Sequence, residues 1–436
     1  MRADWDTIVM GGGPAGSTAA TLLARAGQRV LVLERDQFPR FHVGESLIPY
    51  GNDVLRELGV WEKLEQAGFM PKHGAEFTLG NAAGMQRFYF GRNLPQGYGQ
   101  TFQVERAKFD HLLLQHAEEQ GATVRQQAKV NAIAADGDGV RVTYDHDGAH
   151  HEVSARWLMD ASGRTALAGH ALGLKKSDLG LPKRLAVFAH FRGVFRNTGE
   201  ETGHITIVRL EDAWCWFIPL DAERTSVGLV QTLGQFKTQG IAPEESFRRV
   251  VEQHAELRFR MKNAQAVTPV YAEGEYTFRF DCAAGPRWLL AGDAAGFIDP
   301  IFSSGVMVAL RSSALAAQAI LLADQQGRAL AAAEQRAYSR AMKKMTDAFL
   351  GMIRMFYDRH AFEVFMARSP FLGLPRSVVN LVGGNTDLPW SLRWRLGIFY
   401  AMCRLQRYRA LVPRLSFVEA PRRGPAKNRE LERAGV

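Results

Sequence analysis

The 436-residue sequence predicts an α/β (α+β) chain: a nucleotide-binding domain interleaved with a β-sheet substrate domain, then a helical C-terminal region. Three observations predict it. A glycine-rich turn near the N-terminus sits between a strand-like run and a helix that returns to a strand. Segment 129–160 alternates apolar and polar residues, as antiparallel strands do, and several further strands are read at 186–232. From Ser303 onward the spacing becomes helical. No internal repeat is visible.

Taken in order, "DTIVMGGGPAGSTAATLLARAGQRVLVLERD" reads as strand, turn, helix, strand. Its turn is a G-x-G-x-x-G of Gly11, Gly13 and Gly16, with Pro14 and Ala15 inside it. Glycines permit the tight turn and let the backbone approach a pyrophosphate, which the helix N-terminus attracts. The second strand ends at Glu34 and Arg35. Glu34 lies 18 residues after Gly16, near the spacing of an acid that grips a ribose hydroxyl. A Rossmann-like dinucleotide site follows.

Residues 52–67 read as a helix, and "AEFTLG" and "GMQRFYFG" as strands. "ERAKFDHLLLQHAEEQGATVRQ" reads as helix then strand. Residues 129–160 form a small antiparallel sheet with "DGDG" as a turn. Further strands follow at 186–232. Among them is "AWCWFIPL", whose Trp214 and Trp216 share one strand face. A bare pair of this kind is usually core. "RWLLAGDAAG" is a late buried strand ending in a glycine turn. The C-terminal helices break at "SPFLGLP" and "VGGNTDLPW". The expected division is 1–185 with 280–330 for the nucleotide, 186–279 for the substrate sheet, 331–420 for a helical cap and 421–436 for a disordered basic tail.

Apolar residues make up 46% and charged residues 23% of the chain, ordinary for a globular protein. Cys215, Cys282 and Cys403 are odd in number and scattered, so neither a disulfide framework nor a metal site is expected. The N-terminus shows no leader pattern. The longest apolar run, 314–323, is about half of the ~20 residues a membrane span needs. No transmembrane segment and a cytoplasmic location are therefore expected. From Ser391 to the end, 11 Lys and Arg face 3 Glu, which accounts for most of the net charge of +9. Nucleic-acid binding would want a basic stripe with stacking aromatics and is not expected. A solvated basic helix face with a disordered end is the plain expectation for it, with an acidic partner, such as a carrier protein, or an anionic membrane surface as the alternatives.

"QVERAKFDHLL" with Arg106, "DASGR" at 160–164 and "WLLAGDAAGFIDP" with Asp293 resemble, in order, the flavin-contacting elements of FAD-dependent monooxygenase-like enzymes. That resemblance implies FAD, with Asp293 on the ribityl chain and Arg106 beside the flavin. No second G-x-G-x-x-G exists for NAD(P)H, so FADH2 is expected from a separate flavin reductase. Trp214, Trp216, Ile218 and Pro219 form a W-x-W-x-I-P. Phe297, Pro300, Ser303 and Gly305 form an F-x-x-P-x-x-S-x-G. Both resemble the signatures of flavin-dependent halogenases, over roughly residues 5–330. "FPRFHVGESLIP" resembles them too, with the Gly44-Glu45-Ser46 loop expected over the cofactor.

The halogenase resemblance implies that chloride or bromide binds the backbone amides of Ser304 and Gly305. It implies that hypohalous acid reaches Lys72, and that Trp214, Trp216, Pro300 and Phe302 line its path. Tryptophan-type members carry a Glu before the Ser of the last motif. Phe302 stands there instead, which points to a phenol or pyrrole, free or carrier-bound. Glu45, His42 and His73 stay open as the base. The alternative on the same fold is an FAD-dependent monooxygenase or a flavin-dependent reductase/dehydrogenase, which would need no halide.

Overall fold

A computed structural model describes residues 3–136, 138–275, 277–367 and 373–418. The predicted tail at 421–436 and most of the "SPFLGLP" break lie outside the described residues.

The first sheet is built as the glycine turn requires. Trp5–Met10 pairs in parallel with Val30–Leu33 and with Ala149–Asp160. Thr123–Arg125 extends it on one side and Trp288–Leu290 on the other. Val30–Leu33 is wholly buried, as are the last four residues of Trp5–Met10 and of Ala149–Asp160, as a parallel sheet covered on both faces demands. Helix Pro14–Arg25 covers one face and packs against Gly305–Gln325. The predicted meander follows: Lys129–Ala135 and Val140–His146 pair antiparallel, and the latter pairs with Ala149–Asp160.

The second sheet runs in the order Gln265–Ala266, Arg184–Arg192, Thr225–Thr232, Ala213–Pro219, Ile205–Arg209, Gly74–Leu79, Met85–Tyr89. Gly74–Leu79 pairs in parallel with Ile205–Arg209. Residues 74–89, placed by the sequence within the nucleotide-binding part, therefore belong to this second sheet. Their alternation fits either sheet; only long-range pairing chooses. One sheet face carries Cys215, Phe217, Leu229 and Val187, packed with Phe247 and Leu257. The opposite face carries Trp214, Trp216 and Phe188, packed into the main core.

Two further readings change. The helix expected at 52–67 is two, Asn52–Glu57 and Trp61–Gln66, because Gly59 takes a φ of 70° between them. The apolar run at 314–323 sits inside Gly305–Gln325, a 21-residue helix long and apolar enough to cross a membrane. Its buried face, including Val308, Ala316 and Ile320, packs in the core. The predicted helical C-terminal region is present as Ala332–Tyr357, Arg359–Met366, Leu374–Val382 and Trp390–Leu405.

Candidate active site

Three turns meet at the carboxyl ends of adjacent parallel strands, where open α/β sheets bind ligands. Gly11 follows the first strand, Ala161 the Ala149–Asp160 strand and Gly292 the Trp288–Leu290 strand. Gly11 has φ 98°, and a Cβ there would stand 2.4 Å from the Ala161 carbonyl oxygen. A Cβ on Gly16 would stand 1.8 Å from the Gly11 carbonyl oxygen. Both glycines are steric necessities. Gly13 differs: its Cβ position meets only the Arg40 guanidinium, at 3.5 Å. That open side is where backbone can approach a phosphate. Pro14 starts the helix at its first position, and Ala15 is buried behind it.

Glu34 closes the turn. Its Oε2 accepts the Gly12 amide at 2.6 Å and its Oε1 the Asp36 amide at 2.8 Å. Arg35 points outward, its side chain 64% exposed. Asp293 is half-buried, and its carboxylate has no partner among the described residues. Burial pushes its pKa up to about 6 against the pull of Arg164 and Arg106. An orphan carboxylate beside a bare glycine turn fits a ligand with hydroxyls and phosphates, as FAD has. Gly11, Gly13, Pro14, Ala15, Gly16, Glu34 and Asp293 would hold it.

The Gly44-Glu45-Ser46 loop is pinned by side chains from three separate elements. Arg106 grips Asp110 through two bonds, of 2.7 and 2.9 Å, and donates to the Val43 carbonyl at 2.7 Å. Arg106 thus holds this loop rather than standing free toward a ligand. Glu45 meets His190 at 2.8 Å, both buried. Ser46 Oγ accepts from Lys72 Nζ at 2.8 Å, and the Leu47 carbonyl accepts from the same nitrogen at 2.7 Å. Lys72 ends the short strand Met70–Lys72, paired with Thr101–Gln103, and is 2% exposed. Burial lowers its pKa to about 7. Near neutrality this amine exchanges its proton readily, as a reactive lysine must.

Ser304 and Gly305 follow a 3₁₀ turn, Pro300–Phe302, and a left-handed Ser303 with φ 56°. Ser304 caps the helix Gly305–Gln325. Neither the Ser304 nor the Gly305 amide donates to an acceptor among the described residues. Nothing lies within 4 Å of the Gly305 Cβ position. Free amides at the start of a long helix suit a small anion. Leu47, beside Lys72's acceptors, and Val306, beside Gly305, belong to one apolar cluster.

Trp214 and Trp216 do share a face, with ring centroids 5.9 Å apart. Both are buried, and both indole N–H groups are bonded, to Tyr357 and Ser226. Phe302 packs 6.2 Å from Phe356, which is 6.3 Å from Trp214. Pro300 is half-buried at the turn's first position.

Of the three possible bases, His42 is held near pKa 3 by burial and by Arg106, too weak for the task at neutral pH. His73 is half-buried. The sequence missed Arg40, Asp110, His190 and His204. Asp110 alone was findable, as an acid four residues after Arg106 on a helix. His204 is buried with both ring nitrogens unbonded among the described residues. Burial lowers its pKa to about 4, and the nearby Lys72 charge contributes.

Residues 4–347 match the family described as FAD binding domain. A relative 35% identical over 341 residues, 73% of this chain and 76% of its own length, is the 1H-pyrrole-2-carbonyl-(peptidyl-carrier protein) chlorinase of Pseudomonas fluorescens. Among solved structures, a flavoprotein/dehydrogenase from Cytophaga hutchinsonii matches with TM-score 0.85 and 28% identity, covering 93% of this chain and 99% of that one. A flavin-dependent brominase matches with TM-score 0.83 and 27% identity, covering 93% and 100%. With its glycine cradle, buried lysine and free helix-terminal amides, the chain belongs to the FAD binding domain family and, within it, to the flavin-dependent halogenases.

Proposed function

We propose that the protein halogenates an electron-rich aromatic ring, a pyrrole or a phenol, through Lys72. The carrying observation is the Lys72 environment: a buried amine bound to a hydroxyl and a carbonyl, its pKa lowered to about 7. Bound FAD, reduced by a separate flavin reductase, supplies with O2 the oxidising equivalent that turns chloride or bromide into hypohalous acid. The Ser304 and Gly305 amides hold the halide. Two N–H bonds of neutral Lys72 go to Ser46 and Leu47, leaving its lone pair free. That lone pair takes the halogen from HOX to give an N–X bond and water. The aromatic carbon then takes the halogen, and Lys72 regains the proton the ring loses. Trp216 and Phe302 exclude water from this path.

Phe302 puts no carboxylate beside the path, which suits a ring that supplies its own electron push. The chlorinase relative's substrate favours a pyrrole-2-carbonyl group on a peptidyl carrier protein. Exposed Arg393, Arg404 and Arg409 offer an acidic carrier a complementary surface in the cytoplasm. The likeness to a dehydrogenase speaks to the shared fold and not to the chemistry.

The test is mass spectrometry of product from purified protein, FAD, a flavin reductase with NADH, halide, and free and carrier-bound pyrroles and phenols. A halogenated product that disappears in Lys72→Ala, with FAD still bound, supports the reading. Oxygenated product without halogen would replace it with a monooxygenase.

A further inference from the structure

The two signature segments lie far apart in sequence, yet the fold joins them by a chain of hydrogen bonds. Trp214 Nε1 donates to the Tyr357 hydroxyl at 2.8 Å. The Tyr357 hydroxyl donates to Asp299 Oδ2 at 2.7 Å. Asp299 Oδ1 accepts the Ile301 amide at 3.1 Å and so caps the Pro300–Phe302 turn. The polarity is fixed by chemistry: an indole N–H only donates, so Tyr357 must accept from it and has one proton left for Asp299. Arg184 anchors the far end. Its Nε lies 3.2 Å from Asp299 Oδ2, and its guanidinium lies 3.5 Å from the Tyr357 ring centroid. Tyr357 ends the helix Ala332–Tyr357, and Arg209 holds its carbonyl at 3.2 Å.

We infer that Trp214, Tyr357 and Asp299 form a positioning chain that sets the turn presenting the Ser304 and Gly305 amides. Trp214 therefore acts through its N–H, and not only as a wall. The need is visible in the turn. Ser303 occupies the left-handed region that non-glycine residues avoid, and such a conformation persists only where its surroundings over-determine it. The Asp299 cap and its two partners provide that determination, from the substrate sheet and from the C-terminal helices. This inference rests on the halide site proposed above.

The experiment compares Tyr357→Phe, Trp214→Phe and the double variant with wild type. Both substitutions keep a ring and remove one hydrogen-bonding group. Four quantities are read: bromide affinity by titration calorimetry, the halide KM against kcat, FAD affinity, and amide exchange by mass spectrometry. Tyr357→Phe is expected to raise the bromide Kd and halide KM about threefold to tenfold, with FAD affinity unchanged. Exchange should quicken in the peptide covering 298–308 and little elsewhere. Trp214→Phe should move the same quantities less. The double variant should match Tyr357→Phe, because Trp214 acts through that hydroxyl. Wild-type bromide affinity and wild-type exchange at 298–308 would overturn the inference. So would a lowered Tm with exchange raised evenly across both sheets, which marks a core role alone. Should wild type neither bind bromide nor halogenate, the halide reading falls. The exchange at 298–308 then still decides whether the chain sets the turn.

Discussion

At residues 11–16 the tightest approaches are backbone to backbone: the Gly11 and Gly16 Cβ positions run into carbonyl oxygens of Ala161 and Gly11. At Lys72 the contacts come from a segment distant in sequence, residues 46–47, and the amine lies buried with the Ser46 hydroxyl and the Leu47 carbonyl as partners. The first region is built to receive charge, with helix-terminal amides and a nearby guanidinium. The second is built to shed it, since burial disfavours the ammonium. The difference teaches why one chain needs both. A cofactor's phosphates are held best by fixed dipoles, while the halogen transfer proposed for Lys72 would need an amine whose proton comes off near neutrality.

The strongest way to test this contrast is to remove the amine. Lys72→Ala is expected to lower halogenated product by about 10²–10⁴-fold and leave FAD binding intact, read by product mass and flavin absorbance. Retained halogenation would erase the distinction between the two regions.

Next comes the backbone side. Gly16→Ala places a Cβ against a carbonyl that cannot move away, and should cost about 3 kcal/mol or more in unfolding free energy, with FAD lost on desalting. Gly13→Ala should fold normally and weaken FAD alone, because its Cβ meets only a mobile guanidinium. Equal stability losses in the two variants would show that Gly13 is not an open face.

A smaller effect sharpens the lysine side. The Lys72 pKa falls from 10.5 to about 7 on folding. Below pH 7 both states are protonated and the burial penalty is complete. Between pH 7 and 10.5 the unfolded state binds more protons, so this group adds stability as pH rises. Relative to Lys72→Met, wild type should gain a few kcal/mol between pH 7 and 10 by chemical denaturation. Product formation should also rise through about pH 7, as the neutral amine requires. A flat difference and a flat profile would refute the lowered pKa.

Gly228→Ala should show the smallest effect. Gly228 stands in register between Phe188 and Trp216, and its Cβ would lie 2.2 Å from the Trp216 ring. The indole must shift and lose its bond to Ser226, at a cost of about 1–3 kcal/mol. More oxidant should then be lost without halogenation, measured as hydrogen peroxide per halogenated product. An unchanged ratio would leave Trp216 as ordinary core.

The sequence determined what is local. Gly11, Gly13 and Gly16 followed by Pro14's helix and Glu34's strand specify the cofactor turn, because steric and dipole demands act within a few residues. The helical C-terminal region was legible from its local spacing, while the two aromatic and turn signatures were legible only through their likeness to flavin-dependent halogenases. Tertiary structure alone decided the rest. It assigned residues 74–89 to the second sheet, since a period of two says that a strand exists and not which neighbour pairs with it. It brought His190 to Glu45, Ser46 to Lys72, and Tyr357 between Trp214 and Asp299. No spacing rule links those residues: burial pulls the segments together, and each buried polar group then takes whichever partner the packing presents.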